Sequence, residues 1–156
     1  MNEIMGEFTF SGKGNIAIVA SRFNDTIVDR LVSGAEDIFL RHGVKKEQLE
    51  LIRVPGAFEI PMACQRLSKT HRIAGIVALG AIIRGSTPHF DYVASCCANG
   101  IQQVQLKTNV PISFGVLTTE TVEQAIERSG TKAGNKGADC AMGLLEMMDL
   151  LGKIHD

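Results

Sequence analysis

Apolar and polar positions along this chain form an alternating series of short apolar runs and amphipathic stretches. The run "NIAIVAS" (15–21), bounded by Gly14 and the polar "SRFND", has the pattern of a strand buried on both faces. Ile27, Leu31, Ala35, Ile38 and Phe39 then recur at helical spacing behind Asn24 or Asp25 as the cap, and "RHG" (41–43) closes that helix with a basic turn and a glycine. The same unit repeats. Strand "LELIRV" (49–54) leads into "PGAFEIP" and a helix over about 61–69; strand "IAGIVALGAII" (73–83) leads into a helix over about 88–107. Strand "PISFGVL" (111–117) precedes two last helices, over about 122–128 and 138–154. Parallel neighbours require crossovers, and these are usually helical, so four strands separated by helices predict an α/β fold with helices on both faces of a four-stranded parallel sheet. The stretch "EFTF" (7–10) alternates weakly and could add an edge strand, so residues 1–13 are expected as an N-terminal edge segment of a single domain spanning 1–156.

Composition narrows the classes of partner. A length of 156 residues suits one domain with a core of its own, and 16 basic against 17 acidic side chains, with no run of like charge, predicts neither a nucleic-acid groove nor a membrane-binding patch. Cys64, Cys96, Cys97 and Cys140 lack metal-binding spacing, and two of them are adjacent, so buried reduced thiols are expected. The start "MNEIMGEF" is acidic and has no apolar run, and no stretch is apolar for long enough to span a membrane, which predicts a soluble cytoplasmic protein.

"GKGNIA" (12–17) resembles a dinucleotide fingerprint but precedes its strand, so its glycines cannot offer a helix N-terminus to a pyrophosphate. Chemistry is expected instead at the carboxyl ends of the strands, where open α/β sheets collect ligands. The loops there are "SRFN", "PGAFE", "RGSTPH" and "LTTE". They offer a flat apolar face in Phe23, a carboxylate in Glu59, hydroxyls in Ser86 and Thr87, and, in His89, the residue type that ordinarily titrates nearest neutrality. In "GAIIRGSTPHFDYV" (80–93), Thr87 can cap a helix that begins at Pro88, and Gly85 allows close approach of the backbone, an arrangement that suits an anion. A capped surface helix with an incidental histidine accounts for the same letters. Arg128 equally fits a cation at a helix C-terminus, Lys132 and Lys136 fit a decorated turn, and Phe23, Phe58 and Phe114 fit core positions. His42, His71 and His155 are left unassigned.

Taken together, "RFN", "VPGAFEIP", "GAIIRGSTPHFDYV", "FGVLTTET" and "QAIERSGTKAGNKG" resemble, in order, the 6,7-dimethyl-8-ribityllumazine synthase family, over about residues 8–151. The resemblance implies a three-layer α/β/α sandwich with a flavodoxin-like sheet. The implied reaction is the penultimate step of riboflavin synthesis, in which 5-amino-6-ribitylaminouracil condenses with 3,4-dihydroxy-2-butanone 4-phosphate. It runs through an imine, loss of phosphate and ring closure, with neither metal nor organic cofactor. By position, Phe23 matches the residue stacking on the pyrimidine. Ala57, Phe58 and Glu59, with Ala81, Ile82 and Ile83, match the segments holding the ribityl chain and ring; Ser86, Thr87 and Arg128 match the phosphate cradle; His89 matches the proton donor. Phe114 matches the residue that closes the pocket from a neighbouring subunit, and Asn24 and Lys136 match further ligand contacts. Pentamers assembled into an icosahedral 60-mer are implied as well, with riboflavin synthase as a possible cargo. Two alternatives stay open: a flavodoxin-like module that binds flavin without turnover, and a phosphosugar isomerase or lyase using the same anion loop.

The final helix supports assembly on its own pattern. Asp139, Glu146, Asp149 and Lys153 form a narrow polar stripe, while Met142, Leu144, Leu145, Met147, Met148, Leu150 and Leu151 cover most of the rest. A helix packed on one sheet needs only one apolar face, so cover from a second side is expected.

Overall fold

The structure, a computed structural model, describes residues 1–154. His155, left unassigned from the sequence, lies outside the described residues. The elements follow in the order β1 (Asn15–Ser21), α1 (Asp25–Arg41), β2 (Leu49–Val54), α2 (Ile60–Ser68), β3 (Ile73–Ile83), α3 (His89–Thr108), β4 (Ile112–Thr119), α4 (Val122–Glu127), a small hairpin of β5 (Ser129–Thr131) and β6 (Gly134–Asn135), and α5 (Lys136–Lys153). Strands β1 to β4 form one parallel sheet in the order β2-β1-β3-β4.

Alternation along the central strands divides the core into two layers. Ile16, Ile18 and Ala20 of β1, with Val77 and Leu79 of β3, face Leu31, Ala35 and Phe39 of α1 and Cys140, Leu144 and Leu145 of α5. Ala17 and Val19, with Ile76 and Ala78, face Ile60 and Cys64 of α2 and Cys97, Ile101 and Val104 of α3. The result is the three-layer α/β/α, flavodoxin-like sandwich. Each Val, Leu, Ile or Phe among them, once fully buried, stabilises the fold by about 1.5–3 kcal/mol relative to exposure. Helices α1 and α5 approach so closely that a β-carbon at Gly137 would run into the Leu31 carbonyl. No helix among the described residues is long and apolar enough to cross a membrane.

Two local expectations are corrected, and one is met. Residues 7–10 form no strand: the Glu7 amide donates to the Asp149 carboxylate at 2.7 Å, and the Lys153 ammonium donates to the Met5 carbonyl at 3.1 Å. The segment therefore lies along α5 instead of pairing with the sheet of its own chain. Cys96 is exposed on α3, although Cys64, Cys97 and Cys140 are buried as free thiols. Burial pushes the Cys64 and Cys97 thiols up to about 12, so both stay protonated and unreactive near neutral pH. The glycines of "GKGNIA" precede β1, at the amino end of the sheet, where Gly12 and Gly14 hold positive φ of 82° and 76°. They serve a turn there, at the end of the sheet away from the loops that collect ligands.

Candidate active site

Strand order reverses between β1 and β3, the place where a parallel α/β sheet opens a crevice at its carboxyl edge. Pairing of β3 with β1 ends at Leu79, whereas its pairing with β4 continues to Ile83 opposite Thr119. The last turnings of β3 therefore present one backbone edge to open space above β1. Backbone groups of successive strand residues point to opposite neighbours, so Ala81 and Ile83 face the crevice while Ile82 and Arg84 face β4. The Arg84 amide accordingly donates to the Thr119 carbonyl at 2.9 Å.

Each neighbouring loop is fixed by local chemistry. Beyond β1, the amides of Arg22 and Phe23 donate to Val54 and Pro55, which carries Phe23 out beside β2 and leaves its ring exposed. Asn24 adopts the left-handed conformation at φ 61°, which asparagine tolerates better than most residues, and its amide nitrogen donates to the Ala81 carbonyl at 2.8 Å. This corrects the expected side-chain cap on α1: Asn24 occupies the cap position, but only its backbone carbonyl accepts from Ile27 and Val28. After β2, a 3₁₀ turn over Ala57–Glu59 is held by the Glu59 carboxylate, whose Oε2 accepts from the Gly56 amide at 2.9 Å. Phe58 projects outward from that turn, and Ala57 is buried beneath it.

After β3 the chain runs through Gly85, Ser86 and Thr87 to Pro88, which stands at the cap position of α3. Thr87 is thus one residue too early to cap, and no side chain caps this helix. His89 is the first helical residue, and Tyr92 and Val93 follow it at helical spacing on the same side.

These loops enclose a cavity of about 710 Å³, within the range usual for small-molecule sites. It is lined by Phe23 and Asn24, by residues 55–59, by Ala81, Ile82 and Ile83, and by Gly85, Thr87, His89, Phe90, Tyr92 and Val93. Aromatic faces thus stand opposite an open strand edge, with the histidine and the anion-suited loop at one end. Phe90, Tyr92 and Val93 were not singled out from the sequence. Their signal was the i, i+3, i+4 relation to His89 and, for Phe90, adjacency.

Three expected site residues lie elsewhere in this chain. Ser86 is exposed in the loop but does not line the cavity. Phe114 sits opposite Ala78 on β4, five residues below the carboxyl end of that strand, or about 16 Å along it. Arg128 lies beyond α4, exposed, with Nη1 donating to the Gln124 carbonyl at 3.0 Å. Lys136, matched with lower weight, starts α5 and also lies outside the lining.

Residues 13–152 match the 6,7-dimethyl-8-ribityllumazine synthase family. Proteins named 6,7-dimethyl-8-ribityllumazine synthase from Lawsonia intracellularis and Campylobacter lari are each 56% identical to this chain over 154 residues, covering 99% of it and 98% and 99% of their own lengths. One of the same name from Nautilia profundicola is 56% identical over 150 residues, 96% of this chain and 97% of its own.

Proposed function

This chain belongs to the 6,7-dimethyl-8-ribityllumazine synthase family, and from that premise we propose how its cavity performs the reaction. The protein is an enzyme of riboflavin biosynthesis, condensing 5-amino-6-ribitylaminouracil with 3,4-dihydroxy-2-butanone 4-phosphate to give the lumazine, phosphate and water. The observation that carries the assignment of roles is the meeting, in one cavity, of a flat apolar slot, an open strand edge and an anion-suited loop beside a histidine.

The pyrimidine stacks on Phe23 and reads the free backbone groups of Ile83, with Ala57, Phe58, Glu59, Ala81 and Ile82 forming the walls along ring and ribityl chain. Glu59 has one carboxylate oxygen anchored by Gly56, which aims the other at a hydroxyl or ring N–H. The phosphate lies against Gly85, Ser86 and Thr87, whose amides have no backbone partner among the described residues. Attack of the 5-amino group on the ketone gives a carbinolamine. His89 supplies the proton on which water leaves to form the imine, then serves in the proton transfers that accompany phosphate loss and ring closure.

The test mixes the purified protein with the two substrates and follows the lumazine spectrum. Product formation at a rate above the spontaneous one is expected. Tight retention of a flavin with no product would instead favour a flavin-binding module.

Phe114 and Arg128, which do not line their own cavity, reach the cavity of a neighbouring copy in this reading. Support comes from exposed apolar side chains on both edge strands, Leu51 and Phe114, and on α5, Met147 and Leu151. We place the enzyme in the cytoplasm as a pentamer closed into an icosahedral 60-mer, whose interior suits riboflavin synthase, the consumer of its product. Light scattering at neutral pH is expected to give the mass of the shell. An isolated pentamer would overturn only the shell, and a monomer or dimer would overturn the shared site too.

A further inference from the structure

The loop that presents Gly85, Ser86, Thr87 and His89 has little of its own to hold it. Gly85, Ser86 and Thr87 are exposed, and neither hydroxyl has a hydrogen-bond partner among the described residues. Space around Gly85 is open, since a β-carbon there would meet nothing within 4 Å. The side-chain bonds that join its two ends all come from Arg84, at its start.

The Arg84 guanidinium reaches three residues on two other segments, the β4–α4 corner and the first turn of α3. Its Nε donates to Glu120 Oε2 at 2.8 Å, and its Nη1 and Nη2 donate to the two oxygens of Asp91 at 3.4 and 3.2 Å. Its central carbon lies 4.3 Å from the centre of the Phe90 ring, which lines the cavity. Asp91 sits in the first turn of α3, so the Arg84–Asp91 fork closes the chain on either side of the loop. Glu120 is itself held: its amide donates to Gln124 Oε1 at 2.8 Å, and the Thr121 hydroxyl caps α4 through the Gln124 amide at 3.1 Å. The backbone that carries Glu120 is therefore fixed at the β4–α4 corner.

We propose that Arg84 is a positioning residue, which clasps the start of the loop 85–88 to the first turn of α3 and to the β4–α4 corner and so holds the loop and His89 in register for the phosphate. The inference rests on the reading of residues 85–87 as the anion cradle. Fixing both ends of a short loop removes conformations that binding would otherwise have to remove, and lowers the cost of ordering it around a ligand. Exposed ion pairs are individually weak, so the effect is moderate. Arginine is required because lysine supplies a point charge in place of the planar fork.

Steady-state kinetics of the assembled enzyme separate this role from two others. Arg84→Gln is expected to raise KM for the butanone phosphate roughly three- to twentyfold, with KM for the pyrimidine within about twofold. Arg84→Lys is expected to stay on the impaired side. Asp91→Asn provides the sharper distinction: if Arg84 merely attracted the phosphate by its charge, removing a nearby acid would lower that KM, whereas loss of the clasp raises it. A lower or unchanged KM in Asp91→Asn, full rescue by Arg84→Lys, or an equal rise for both substrates would each overturn the proposal. Thr87→Glu tests the underlying reading separately, by placing a carboxylate in the cradle. If it leaves the butanone phosphate KM unchanged, the cradle itself is wrong; if it raises that KM while Arg84→Gln does not, only the clasp is wrong.

Discussion

His89→Ala is expected to lower turnover roughly 10- to 10⁴-fold, the range associated with loss of a positioned proton-transfer group. His89 opens α3 on the cavity wall, next to the loop that carries Thr87. Water must leave the carbinolamine and phosphate must leave the imine, and both departures require protons to be handled at a site whose other walls are largely apolar. Glu59 is the other titratable side chain lining the cavity, apart from the phenol of Tyr92, and one of its oxygens is engaged by Gly56. Alanine favours a helix and His89 is exposed, so the substitution leaves α3 intact. The relevant measurement is kcat on variant protein whose thermal midpoint and assembly match those of the parent. An unchanged kcat in such a sample removes His89 from the proton transfers.

Strand positions were legible because strands buried on both faces must be nearly continuous apolar runs. "NIAIVAS" and "IAGIVALGAII" coincide in this way with β1 and β3, and the shorter, mixed run "LELIRV" coincides with β2. Even the edge position of β2 had a sign in Glu50 and Arg53, charges that a central strand would not carry. Helix starts were less legible, since a cap depends on where a side chain finds its partner. The Asn24 amide goes across the crevice to Ala81, and Pro88 takes the place assigned to Thr87. Residues 57, 58 and 81–83 came from the family resemblance; the convergence of residues 23, 59, 87 and 89 followed from the rule that ligands gather at strand ends, which also named Ser86, outside the lining. The partners of Arg84 did not, because Glu120 comes from another crossover and no periodic pattern links it to Arg84. The N-terminal segment misled for a related reason: weak alternation says nothing about the acid and lysine on α5 that engage its backbone.

Arg128→Ala is expected to raise KM for the butanone phosphate roughly 10- to 100-fold, as befits about 1.5–3 kcal/mol for hydrogen bonds to a charged group, while affecting the pyrimidine much less. A guanidinium grips a phosphate with two parallel bonds, and among the described residues the Arg128 side chain donates only to the Gln124 carbonyl, which leaves most of its donors for a ligand. Arg128 does not line the cavity of its own chain, so on the proposed shared site the phosphate it grips belongs to a neighbour's cavity. That geometry has a consequence a self-contained site would not share. Co-expression of His89→Ala with Arg128→Ala subunits in equal amounts yields, by random assembly, about a quarter of sites with both groups intact, half for the His89 side multiplied by half for the Arg128 side. Activity at butanone phosphate well below the parent's KM should then exceed the mean of the two variants assembled separately and approach that quarter of the parent's rate. A mixture no more active than the mean would place both groups on one chain, and the shared site would have to be abandoned even if the assembly were a complete shell.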